Sequence, residues 1–249
     1  MKKLRRVTES EVIAEFLKNE FYQEEFHRDR DKFEHLVLDA DVTNDEDNML
    51  RRALLFRRRG HMWRELPPDT QWWEVQLDPE DLDRLRVFPR AHWRKIASGS
   101  FGLADIVSNI RTRKFSGKIG DFISKIHSLS YRLRFDHDVS SVILIGVDLD
   151  QVVTIIEGNH RLTAAMLGAP ETLHTRFRVF FGMSPRMNEV CWHHHSLSNI
   201  MRYINNRLKH LWNDPDTDLS RLPLPEKAMT AAQYAKVVAA RKAAITEPK

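Results

Sequence analysis

The chain has 249 residues, 42% hydrophobic and 30% charged, a balance that excludes a disordered polymer and allows a substantial core. No apolar stretch approaches the roughly 20 residues of a membrane span. The net charge of +4, from 39 basic and 35 acidic residues, permits an anionic ligand but does not by itself imply DNA.

The single cysteine, Cys191, excludes an intrachain disulfide framework and fits a reducing compartment. The basic start is followed by Thr8-Glu9-Ser10-Glu11, where a signal peptide would be apolar, so a cytoplasmic protein is expected.

In chain order, Glu9 to about Leu38 carries Phe16, Leu17, Phe21, Phe26, Phe33 and Leu36 at helical spacing. An acidic loop over 39–47 leads to a second helix, which starts near Asp45 and runs to Gly60. That helix is basic, with Arg51, Arg52, Arg57, Arg58 and Arg59. Gln71 to Leu77 alternates and is rich in aromatics, which predicts a strand, and Asp78-Pro79 opens a short helix. Further helices are predicted over 90–98, 103–110 and 117–129, strands over 139–147, 151–156 and 176–181, and helices over 161–167, 196–212 and 226–245.

Glu157-Gly158-Asn159-His160-Arg161 lies between the β-branched run Val152–Ile156 and the helix-forming run Leu162–Leu167. That is strand, tight turn, helix. Gly158 permits a sharp turn, and the helix that follows directs unpaired N–H groups and its positive dipole end at whatever covers the turn. Two cationic residue types at a helix start need an anionic partner, either a ligand or an internal carboxylate.

This segment resembles the signature of the ParB/sulfiredoxin superfamily, over roughly residues 140–170. The resemblance implies an α+β fold, with a mixed α/β core and a small mixed sheet flanked by N- and C-terminal helical segments. It also implies a turn that holds nucleotide phosphates. Sulfiredoxins place their reactive cysteine where this chain has Asn159, so that activity is not expected. The partitioning proteins of the superfamily read more like Gly-Glu-Arg-Arg, and no helix-turn-helix follows here. The closer likeness is to the kinase branch, whose Asp-Gly-His-His-Arg becomes Glu157-Gly158-Asn159-His160-Arg161, and which phosphorylates free serine.

The basic stretch Arg111-Thr112-Arg113-Lys114 precedes the core strands and, by the same resemblance, lines the nucleotide pocket. Asp136-His137-Asp138 offers carboxylates for Mg²⁺ or for general-base work. Glu65, Glu74, Asp105 and Asp121 are other candidate bases. Trp192-His193-His194-His195 suggests zinc at first sight, but adjacent residues point in different directions and no second cysteine completes a tetrahedral set. Trp63, Trp72, Trp73 and Trp93 fit a core better than a base-binding wall.

These observations divide the chain into a helical segment 1–65, a ParB/sulfiredoxin-like core 66–190 and a helical segment 191–249 that packs on the core. The helical arms are long enough to build a homodimer. The expected function is a nucleotide-dependent small-molecule kinase. Gly158, Asn159, His160, Arg161, Arg111, Arg113 and Lys114 would bind ATP, Glu157 and Asp138 would hold Mg²⁺, and Glu157, His160, Arg161 and Asp138 would act on a small-molecule hydroxyl acceptor. The alternatives are a regulator that binds nucleotide or nucleic acid without turnover, and a phosphate-ester hydrolase or nuclease. With only Phe115 beside the second basic stretch, DNA binding is not expected.

Overall fold

The computed structural model describes residues 1–211 except for 22, 28–29, 136–139, 169, 171–172 and 174–176. The protein is mixed α+β. Its sheet has the order β1-β2-β6-β4-β5-β3, built from β1 (Lys2–Val7), β2 (Gln71–Gln76), β3 (Leu85–Arg86), β4 (Ser140–Gly146), β5 (Val153–Glu157) and β6 (Phe177–Met183). The central pair β4–β6 is parallel, in register from Ser140–Phe177 to Gly146–Met183. Strand β4 also pairs antiparallel with β5, and β6 antiparallel with β2.

Both faces of this sheet are covered, so its central strands read as continuous apolar runs instead of alternating ones. Ile143, Ile145, Ile156 and Phe180 point to one core, shared with α1 (Glu9–Glu20), α2 (Arg30–Leu38) and α3 (Asp45–Trp63). Val142, Leu144, Ile155, Val179 and Phe181 point to the other. That second core is closed by α4 (Ala91–Ala97), α5 (Leu103–Thr112), α6 (Gly117–Leu133) and α7 (Asn159–Gly168). The last described helix, α8 (Leu197–Leu211), packs against α3.

Local chemistry explains the element ends. Thr8 and Glu11 form a capping box at α1, and the Asn44 side chain accepts from the Glu46 and Asp47 amides at α3. Arg51 is 1% exposed and donates to the Leu36 and Asp41 carbonyls and to Asn48 Oδ1. It therefore staples the loop between α2 and α3 from inside.

Several sequence-based expectations change here. The segment 1–65 is not wholly helical, because Lys2–Val7 forms the edge strand β1 and so belongs to the sheet of the 66–190 core. Its residues Lys2-Lys3-Leu4-Arg5-Arg6 are exposed, as suits an edge that must resist pairing with another chain. The helix expected over 9–38 is two helices, α1 and α2. Residues 79–84 form a 3₁₀ turn, followed by the two-residue β3. The helix expected over 226–245 lies outside the described residues.

Helix α8 also differs from its apolar pattern. It attaches through polar side chains: Asn199 donates to the Asn188 and His194 carbonyls, and Asn206 donates to the buried Glu65. Leu197, Met201 and Leu211 are 78%, 58% and 68% exposed.

The close packing of β6 against β2 yields a test. A Cβ on Gly182 would lie 2.7 Å from the Trp72 ring, which itself stacks on Trp63 at 5.8 Å between centroids. Gly182→Ala should cost about 1–3 kcal/mol, as overpacking does. Urea unfolding should show a lower midpoint with an unchanged slope; an unchanged midpoint would mean that the Trp63–Trp72 stack is not tightly held.

Candidate functional site

The turn is built as its sequence suggests. Gly158 has φ +97°, and a Cβ there would sit 2.9 Å from a methyl of Val142. Glycine is therefore required both by conformation and by the close approach of β4. Helix α7 begins at once, with the Leu162 amide donating to the Gly158 carbonyl at 2.9 Å.

Three of the turn's polar side chains are occupied within the protein. Asn159 is buried; its Oδ1 accepts from the Phe88 amide at 2.8 Å and ties the turn to the segment before α4. Arg161 donates to Glu157 at 2.5 Å and to Asn19 Oδ1 at 2.8 Å. Asn19 in turn donates to the carbonyl and hydroxyl of Ser141 on β4. The anionic partner that Arg161 requires is thus an internal carboxylate. Burial pushes Glu157 up to about 7, helped by the charge of Glu20 and opposed by Arg161 and the Gly158 amide.

His160 is the turn residue that faces outward. Its ring lies 5.4 Å from Trp93 and 5.0 Å from Phe122, centroid to centroid, and Phe122 stacks with His92 at 4.8 Å. Crowding by these walls lowers the His160 pKa, Glu20 raises it, and Arg161 and His92 lower it. The imidazole is therefore a neutral hydrogen-bonding group and not the cation that the sequence suggested.

His160 opens into a cleft of about 780 Å³. Arg58, Arg59 and His61 of α3 form one side, and Arg90, His92, Trp93 and Arg94 at the start of α4 form another. Phe122, Trp192, and Tyr203 and Arg207 of α8 complete the walls. Among the described residues, the lining holds five arginines, three histidines and four further aromatic rings, with no Asp or Glu. Behind it, Arg59 donates to Glu20 at 2.7 Å, while Arg94 donates to the Pro89 carbonyl and Arg207 to the Tyr203 hydroxyl.

The other sequence-predicted residues lie elsewhere. Arg111 donates to the Met166 and Leu167 carbonyls, at the far end of α7 from the turn. There it caps a helix C-terminus. Arg113 bonds Ser98, and Lys114 is exposed; neither lines the cleft. Asp136, His137 and Asp138 lie outside the described residues. Cys191 is buried, and burial raises its thiol pKa, which disfavours a reactive thiolate. Glu65 is 2% exposed and bound to Asn206, and Glu74 is held by Arg5 and Arg178. Of the four tryptophans, Trp63, Trp72 and Trp93 are buried, and Trp93 also shows an edge to the cleft.

The arginines that do line the cleft were not singled out by sequence. The signal was present for two of them, in the Arg57-Arg58-Arg59 run on α3. Arg90 and Arg94 are one helical turn apart, and this pair meets Arg207 and the α3 arginines only through folding.

No family model, curated protein or solved structure matches this chain. The likeness of its turn to the ParB/sulfiredoxin superfamily therefore rests on the motif alone.

The raised Glu157 pKa carries a stability consequence. Between its ordinary value of 4.5 and about 7, the folded state holds a proton that the unfolded state releases. Its contribution is complete below 4.5 and declines as pH rises to about 7. Glu157→Gln keeps the shape and removes the titration. The stability of wild type relative to this variant should fall across that window, measured by denaturant unfolding at a series of pH values. A constant difference would show that Glu157 is ionised in the fold throughout.

Proposed function

We propose that this chain binds a nucleotide in the arginine-lined cleft ahead of the Gly158 turn. The observation that carries the reading is the lining itself: five arginines converge with four aromatic rings, and no Asp or Glu stands among the described lining residues. Several guanidiniums suit a polyphosphate, since their planar forks pair bidentately with its oxygens. Aromatic faces suit a base, because stacking is tolerant of base identity. The volume fits a ligand of nucleotide size. The ParB/sulfiredoxin-like motif supports the same reading, with one change of emphasis. Arg161 serves to hold the turn, Arg59 is paired with Glu20, and the phosphate contacts fall to Arg58, Arg94 and Arg207.

Phosphoryl transfer from ATP to a small-molecule hydroxyl is a second reading, favoured by one feature. Glu157, whose pKa is pushed up to about 7, ends β5 three residues before His160, and such a pKa is matched to general-base work at neutral pH. Mg²⁺ fits less well. Glu157 is engaged by Arg161, Asp138 lies outside the described residues, and among the described residues no group of three or more His, Cys, Asp or Glu is placed to hold a metal ion.

Arg94→Ala and Arg207→Ala should each weaken ATP or ADP binding by about tenfold, as loss of a hydrogen bond to a charged group does. Titration calorimetry reads the affinity, and the melting temperature of wild type should rise with nucleotide concentration. Unaltered affinity in the folded double variant would remove the cleft as the site.

The two readings separate at Glu157. If it is the base, Glu157→Gln should keep nucleotide affinity and lower phosphoryl transfer by about 10²-fold, assayed with ATP, Mg²⁺ and a panel of hydroxyl acceptors. Transfer at the wild-type rate in that variant would contradict the catalytic role and leave binding alone.

A further inference from the structure

The sequence Trp192-His193-His194-His195 has so far contributed only Trp192. Its three histidines line a second cavity of about 360 Å³, together with Arg86, Thr154 and the turn after α4. Trp192 and Pro89 line both this cavity and the larger cleft, and so form a wall between them.

The second cavity is rich in donors and poor in acceptors. Among the described residues its lining contains no Asp or Glu. Arg86 is exposed on the edge strand β3, and its guanidinium has no hydrogen bond or ion pair with a described residue. The Trp192 indole N–H is buried with no acceptor among the described residues. His193 Nδ1 lies 3.1 Å from the hydroxyl of Thr154, itself 1% exposed. With that hydroxyl donating to Nδ1, the Nε2 position carries the proton and donates. Burial, aided by Arg86 and His194, holds the His193 pKa down to about 4, so the ring is neutral near pH 7. A guanidinium with no ion pair among the described residues, beside a neutral imidazole donor in one cavity, suits an oxygen-rich anion. A zinc site is not what the geometry offers, because no metal-holding group of three such side chains forms among the described residues.

We propose that the cavity lined by Arg86, Trp192 and His193 is a second binding site, for the phosphate or carboxylate group of a small ligand. Arg86 supplies the charge, and the neutral His193 supplies a directional donor. The site is separate from the nucleotide cleft and does not depend on the reading of that cleft.

The test is NMR of the histidine rings, assigned by single His→Asn variants, during titration with inorganic phosphate and, separately, with acetate. Saturable shifts of His193, His194 and His195 with at least one of the two anions are expected. Saturation by phosphate alone assigns a phosphate site, and saturation by acetate alone assigns a carboxylate site. Arg86→Ala should weaken that response by about tenfold or more, and Arg86→Lys should restore part of it. His92 and His160 in the same spectra report on the larger cleft, so a silent cleft leaves this test intact. Linear shifts with both anions, or a saturable response untouched by Arg86→Ala, would overturn the proposal.

Discussion

The Arg161 guanidinium is the interaction on which the site depends. It is held between Glu157 at the end of β5 and Asn19 near the end of α1, and Asn19 is fastened to Ser141 on β4. One side chain thus joins α7 to two strands and to the first helix. Arg161 and Glu157 are mostly buried, at 16% and 17% exposure. In such surroundings, breaking the pair by removing one partner costs far more than the pair contributes. This is why the turn holds its shape, and also why Arg161 is not available as the main phosphate contact.

The consequence is a division of labour. Gly158, Asn159 and Arg161 fix the backbone: Gly158 packs on Val142, Asn159 holds the Phe88 amide, and Arg161 holds α1. Through Phe88 the turn positions Pro89, Arg90 and the start of α4, which form one wall of the cleft. Through Asn19 it is held to α1, whose Glu20 accepts from Arg59 of α3, and α3 forms another wall. His160 alone reaches the ligand space. On the proposed reading, the motif acts as the frame of a cleft whose charges come from other elements.

The central sheet and α7 were legible in the sequence because their signals are local. The strands expected over 139–147, 151–156 and 176–181 match β4, β5 and β6 to within two residues at each end. Strand β1 was not legible, since Lys2–Val7 is a charged edge with one buried residue. Strand β3 has only two residues. The cleft was hidden for a different reason. Its arginines come from α3, the start of α4 and α8, up to 149 positions apart between Arg58 and Arg207, and no local pattern records such a meeting. The more conspicuous run, Arg111–Lys114, instead serves partly as the C-terminal cap of α7.

The most direct measurement is photo-crosslinking with 8-azido-ATP in competition with unlabelled ATP, followed by peptide mapping. The azide sits on the base, so the label reports where the base stacks. The account predicts competable label on peptides that contain Trp93, Phe122 or Trp192 and Tyr203, the aromatic walls of the cleft. Competable label confined to the face around Arg111, Arg113 and Lys114 would contradict it and return the phosphate site to the far end of α7.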